Sequence, residues 1–251
     1  MSKLKAKVVV VTGASKGIGA QIAKNMASEG ASVVVNYSTS KPGAEKVVEE
    51  IKSKGGIAIA IQGNMSVSGD VKRLFEETKK AFGALDVLVN NAGVFHFTPL
   101  EEVTETEFHR QFNTNVLGPI LATKEALPYF GENGGSVINI GSVVSESGPP
   151  TSVVYSATKG ALDTVSKVLS KELAVKKIRV NTIAPGMVQT EGTDTAGFTG
   201  NNSDFEKHTV SVTPLGRIGQ PEDIARVAVF LASEESNWVT GERIAVAGGY
   251  R

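Results

Sequence analysis

The sequence has no cysteine, which excludes disulfides, thiolate metal sites and a cysteine nucleophile. It has only three histidines, His96, His109 and His208, and no two have metal-ligand spacing, so no metal site is expected. It has no net charge, with 26 basic residues against 26 acidic ones, and so no electrostatic reason to bind nucleic acid or an anionic membrane. Its first apolar run, Val8 to Val11, is too short for a signal peptide or a membrane span, and a soluble cytoplasmic protein is expected. With 41% hydrophobic and 21% charged residues, the chain can build a sizeable core. No linker-like stretch or repeat divides its 251 residues, so a single domain over 1–251 is expected.

What the chain does have is a regular alternation of two patterns. Short β-branched runs at 6–12, 31–36, 57–62, 85–90, 136–140, 178–184 and 243–247 read as strands. Helical periodicity separates them at 18–29, 44–54, 67–82, 104–130 (bent at Pro119), 152–175 and 221–233. The unbroken apolar character of the strands fits burial on both faces, so the expected fold is α/β, a doubly wound parallel sheet of about seven strands with helices on both faces. One stretch breaks the rhythm. Residues 187–213 are rich in Thr, Gly and Asn with little apolar periodicity, and are expected to form a long loop at a strand's carboxyl end, where open α/β sheets bind ligands.

The first strand runs straight into Gly13-Ala14-Ser15-Lys16-Gly17-Ile18-Gly19. Three glycines between a strand and a helix allow a tight turn and close backbone approach, and the following helix N-terminus favours a pyrophosphate. Gly13, Ser15, Lys16, Gly17, Ile18 and Gly19 are therefore candidate cofactor contacts. An NAD site usually carries an acid at the end of the second strand, whereas this one reads Asn36-Tyr37-Ser38. With no acid there and Lys16 in the turn, a 2′-phosphate is the better match, and NADP(H) is favoured over NAD(H).

Within the 152–175 helix, Tyr155 and Lys159 stand at i and i+4 and project from one face. An ammonium near a phenol favours the phenolate, so the pair could exchange a proton at a carbonyl or alcohol oxygen.

Taken together, these motifs resemble the short-chain dehydrogenase/reductase family. The resemblance rests on Thr12-Gly13-x-x-x-Gly17-Ile18-Gly19, on Asn90-Asn91-Ala92-Gly93, on Ser142 thirteen residues before Tyr155-x-x-x-Lys159, on Asn115, and on Pro185-Gly186 followed by Thr190. It implies a Rossmann-like fold, with Tyr155 as acid and base, Lys159 lowering the phenol pKa and holding the nicotinamide ribose, Ser142 on the substrate oxygen, and Asn115 holding a water in a proton relay. It also implies cofactor contacts at Asn36, Tyr37, Ser38, Asn64, Met65, Asn90, Ala92, Gly93, Pro185, Gly186, Val188 and Thr190. Many members have an acid where this chain has Asn64-Met65, which implies an altered adenine contact.

The implied reaction is reduction of a ketone, β-keto ester or 3-oxoacyl group, or its reverse. Oxidation of glucose or a polyol, and nucleotide sensing without turnover, are the alternatives. An acyl carrier protein partner is weakly supported, because residues 128–133 hold one acid and no cation. Val143, Val144, Pro149, Pro150 and Val153, with Phe95, Phe97 and Met187, suggest a mostly apolar pocket. The resemblance further implies a homotetramer, or a dimer, built on the 104–130 and 152–175 helices.

Overall fold

The computed structural model describes residues 2–200 and 203–250. Every side chain of β1 (Val8–Val11) is buried, because helices cover both faces of the strand. The glycine turn leads into α1 (Gly17–Ser28), and then come β2 (Ser32–Tyr37), α2 (Lys41–Ser53), β3 (Ile57–Gln62), α3 (Ser68–Phe82) and β4 (Val87–Asn90). The second half contains α4 (Glu105–Phe112), α5 (Gly118–Ala126), β5 (Gly135–Ile140), the one-turn α6 (Val144–Ser147), α7 (Val153–Glu172) and β6 (Ile178–Pro185). It closes with α8 (Glu191–Thr195), α9 (Asp204–Val212), α10 (Pro221–Ala232) and β7 (Arg243–Val246).

The seven strands form one sheet in the order β3-β2-β1-β4-β5-β6-β7, and every pairing is parallel. Alternation along each strand divides the core in two. Val9, Val11, Val33, Val35, Val87 and Val89 face α1, α2 and α10. Val10, Val34, Leu88, Val137 and Val180 face the opposite layer, which includes α3 and α5. The chain leaves β1 in one direction and crosses to β4 in the other, so the loops after these two strands open a crevice at the switch point. The glycine turn and the Asn90–Gly93 segment are those two loops.

Two expected elements differ. The helix expected over 104–130 is not a single rod bent at Pro119. It runs as α4, a wide π-type turn (Asn113–Leu117), α5 and a short 3-10 turn (Leu127–Tyr129). Pro119 is accommodated in the first turn of α5, where its missing N–H costs least, so the irregularity falls before it. The expected 187–213 loop contains α8 and α9. Each starts on a hydroxyl cap: Thr190 accepts from the Thr193 N–H, and Ser203 from the Glu206 N–H.

Candidate active site

The cofactor half of the crevice is a glycine turn locked by asparagines. Gly13 has a φ of 61°, and a Cβ there would lie 2.8 Å from Ala92 Cα. Its N–H donates to Asn36 Oδ1 at 3.1 Å, and Asn36 Nδ2 donates on to the Ile61 and Gly63 carbonyls. From the other side, Asn91 Nδ2 donates to the Thr12 and Gly13 carbonyls at 2.9 and 3.0 Å. A Cβ on Gly19 would collide with the Asn91 side chain, so glycine there lets α1 pack against the β4 loop.

The N-cap residue of α1, Lys16, makes no side-chain cap, and no acid of α1 itself sits in the first turn. Its amides suit an anion, and the Gly17 N–H has already found one, donating to Glu191 Oε2 at 3.0 Å. A Cβ on Gly17 would lie 3.4 Å from the Thr190 side chain, so Thr190 stands at the mouth of the turn. Lys16 is exposed in the turn, and at the end of β2 Ser38 is exposed and Tyr37 half-buried. The crevice thus fits a dinucleotide phosphate.

The side chains of several expected cofactor-contact residues have framework roles. Asn36 is buried, and its side-chain bonds all go to backbone of the glycine turn and of the β3 end. Asn90 is also buried, donating to Asn139 Oδ1 at 2.8 Å across the sheet, with Asn139 bonded to Ser166 on α7. Asn64 Oδ1 accepts from the Ser66 N–H and hydroxyl, and Met65 is buried in the core beneath α5. Gly186 is pressed against Ala247, where a Cβ would lie 2.9 Å away, and Val188 is buried. Asn91, part of the Asn90–Gly93 motif but given no contact of its own, and Glu191, in no motif, both touch the glycine turn. Asn91 directly follows a strand end, and the acid at 191 follows a Pro-Gly strand terminus, which are weak signals only.

The catalytic half is built on α7. Tyr155 is half-buried, and Lys159 is buried with Nζ donating to the Ile140 carbonyl at 2.9 Å. The ammonium lies 5.6 Å from the centroid of the Tyr155 ring. Burial pushes the Tyr155 phenol up to about 12, opposed by a hydrogen-bonding interaction with Ser142. Burial brings Lys159 down to about 8, against the opposing charge of Asp163. Loss of water is the first cause of both shifts, and it moves the phenol opposite to the lowering expected from Lys159. Ser142 lies just past the end of β5, buried, with its hydroxyl accepting from the Val144 N–H at 3.3 Å.

Asn115 occupies the π-type turn. Its Nδ2 donates to the Val94 carbonyl and to Thr158 Oγ1, and its Oδ1 accepts from the Val94 N–H. The side chain thus ties the β4 loop to α7; the Asn115 backbone carbonyl lacks the donor an α-helix would give it. Its ordinary helical donor would be residue 119, a proline with no N–H.

An aromatic wall covers the phenol. The Phe95 and Phe97 rings lie 6.1 and 5.7 Å from the Tyr155 ring, centroid to centroid. Phe198 packs 5.5 Å from Phe97, and Phe205 packs 5.1 Å from Phe198. The 187–213 segment therefore adds two further phenyl rings to this wall, Phe198 between α8 and α9 and Phe205 on α9 behind it. The sequence suggested Phe95 and Phe97 but neither ring from this segment.

A family model described as Enoyl-(Acyl carrier protein) reductase matches residues 13–251. The chain belongs to the short-chain dehydrogenase/reductase family. It is an oxidoreductase. An uncharacterized oxidoreductase of Methylorubrum extorquens AM1 is 57% identical over the full length of both chains. A tetrahydroxynaphthalene reductase of Pyricularia oryzae is 38% identical, with 99% of this chain and 90% of the relative covered. Among solved structures, the angucycline C-6 ketoreductase LanV with bound NADP superposes with a TM-score of 0.92 at 36% identity, covering 99% of this chain and 96% of that one. Among the described residues no helix is long and apolar enough to cross a membrane, and no group of acids and histidines could hold a metal ion.

Proposed function

We propose that this short-chain dehydrogenase/reductase uses NADP(H) to reduce a ketone carried on a flat, apolar, aromatic framework to a secondary alcohol. The observation that carries the reading is the Tyr155 phenol, set beside Ser142 and Lys159 under a wall of phenylalanines. Aromatic rings prefer offset or edge contacts with one another, and such a wall selects planar substrates over sugars, whose hydroxyls would find few partners there. The naphthalene substrate in the name of one relative is of this kind.

The α1 amides and Lys16 would hold the cofactor phosphates, and Lys16 the 2′-phosphate in particular. When bound, the nicotinamide supplies the hydride. Ser142 donates a hydrogen bond to the substrate oxygen as negative charge develops on it. Tyr155 delivers its proton to that oxygen, and the Lys159 cation stabilises the phenolate left behind. A water on the Asn115 carbonyl would return a proton through Lys159. Exposed Phe108, Leu117, Ile120 and Val168 on the surfaces of α4, the π-type turn, α5 and α7 support self-association, and a homotetramer is the proposed assembly. Light scattering at a monomer mass would overturn that assembly.

The activity test is a panel of aryl bicyclic ketones, aliphatic β-keto esters and acyl thioesters with NADPH or NADH, and of glucose with NADP⁺ or NAD⁺. The expected result is highest kcat/KM for aryl ketones with NADPH, and loss of turnover in Tyr155→Phe with NADPH binding retained. Turnover of Tyr155→Phe near the wild-type rate would sink the mechanism, and highest efficiency with glucose would sink the substrate class.

A further inference from the structure

The helical spacing that aligns Tyr155 and Lys159 continues to Asp163, four residues on, so the carboxylate shares the face of α7 that meets the site. The contacts around it fall on three consecutive residues at the end of β5. Lys159 Nζ holds the Ile140 carbonyl at 2.9 Å. A Cβ on Gly141 would lie 3.3 Å from Asp163 Oδ1, so that oxygen stands over Gly141. Arg243, on β7, donates from Nη2 to the Ser142 carbonyl at 3.2 Å and to Ser145 Oγ at 3.3 Å. Asp163 Oδ2 closes the ring, accepting from Ser145 Oγ at 2.7 Å and from Arg243 Nε at 3.1 Å. Asp163 Oδ1 is buried with no hydrogen-bond partner among the described residues.

We propose that Asp163 and Arg243 are a positioning pair for this reaction. Together they fix the turn that carries Ser142, and the unpaired Asp163 oxygen sets the negative field in which the Lys159 ammonium stays charged. A buried carboxylate left one bond short is costly as a purely structural device, and a nearby buried ammonium gives it a use. The charged groups that face this region are few. Tyr155 and Asp163 share α7 with Lys159, Arg243 reaches in from β7, and Glu146, on α6, pairs with Arg243 Nη1 at 3.0 Å. The ends of β5 and the π-type turn present only neutral groups, the Ile140 carbonyl and the Asn115 amide.

The proposal rests on Ser142 and Lys159 acting as described above, and its test separates the two. In cofactor-free protein, the Lys159 side chain is titrated by carbon NMR, which needs no turnover. Removing the negative charge in Asp163→Asn leaves Arg243 opposed by Glu146 alone and should lower the Lys159 midpoint by about half a unit to one unit. Removing the positive charge in Arg243→Gln should raise it, and Arg243→Lys should return it toward wild type. The alkaline limb of kcat/KM should follow the same order, with kcat falling about tenfold in Asp163→Asn as Ser142 loosens while the Kd for NADPH stays unchanged. Midpoints that all stay within a few tenths of wild type, or that move together in one direction, would overturn the pairing. If wild-type protein turns over no ketone, the reaction assigned to the site fails while the NMR order still decides the pair.

Discussion

Replacing Lys159 with methionine should make the cofactor-free protein more stable at neutral pH while ending turnover. The ammonium is buried, and burial brings its pKa from 10.5 to about 8. At about 1.4 kcal/mol per unit, that shift is a penalty of about 3 kcal/mol, borne by the fold at every pH below 8. The sign follows from proton counting. Between pH 8 and 10.5 the unfolded chain keeps this proton and the native chain has lost it. Stability from this one group therefore rises with pH across that window, and the penalty is gone above it.

Methionine keeps an unbranched stem and removes the charge, but it leaves the Ile140 carbonyl without its donor at a cost of about 1 to 2 kcal/mol. The net gain at pH 7 is about 1 to 2 kcal/mol, or a Tm higher by about 2 to 6 °C for a chain of this size. At pH 10 the remaining penalty is under about 1 kcal/mol, so the variant should melt at or slightly below wild type. Calorimetric melts at matched protein concentration, without cofactor, read both conditions. A variant that melts below wild type at pH 7, or that gains equally at pH 7 and pH 10, would refute the claim that desolvation governs this lysine.

Other outcomes follow from the same geometry. Lys16→Ala should weaken NADPH binding by about tenfold and leave NADH binding nearly unchanged, since one exposed charge-assisted bond is lost; a fluorescence titration with equal losses would contradict the 2′-phosphate assignment. Asn36→Asp would turn a carboxylate toward the Ile61 and Gly63 carbonyls. It should cost about 2 to 3 kcal/mol and lower the Tm, and a stable variant converted to NADH use would show that this side chain faces the cofactor. Because the Tyr155 phenol is raised to about 12, it is protonated throughout the neutral range. Alcohol oxidation should therefore accelerate with pH from 7 to 10, and a flat oxidation profile would remove Tyr155 as the base.

The fold was legible because the sheet is parallel and covered on both faces. Such strands must be apolar at nearly every position, and the VVVV, SVVVNY and VLVN runs are unmistakable in the sequence. The α4–α5 region was less so. A proline inside a helical pattern can kink a helix or start one, and the wide turn at 113–117 ends at Gly118, which packs against Met65, a contact remote in sequence. The 187–213 segment hid its helices for a different reason. They are short and start at hydroxyl caps among many other threonines, although Ser203 with Glu206 three residues on is a cap pattern that could have been read.

At the candidate site, spacing put Tyr155 and Lys159 together, and burial then set the direction in which each ionises. Tyr155 and Lys159 share a helix face in any helical reading, and a solvated pair would give a lowered phenol. Enclosure by the Phe95, Phe97 and Phe198 rings and by the end of β5 instead drives the phenol up and the lysine down. Those rings come from the loop after β4 and from a segment more than a hundred residues away, so no local pattern could announce the enclosure. The same holds for the asparagines. Asn36 and Asn90 lie at strand ends, where a ligand is expected, yet each strand end also has to be joined to its neighbours. A buried amide that offers both donors and an acceptor does that joining, as Asn36 does between the glycine turn and β3 and Asn90 between β4 and β5. On the proposed reading the ligand meets backbone amides, exposed Lys16 and the residues at the mouth of the crevice, and the framework asparagines determine where those groups stand.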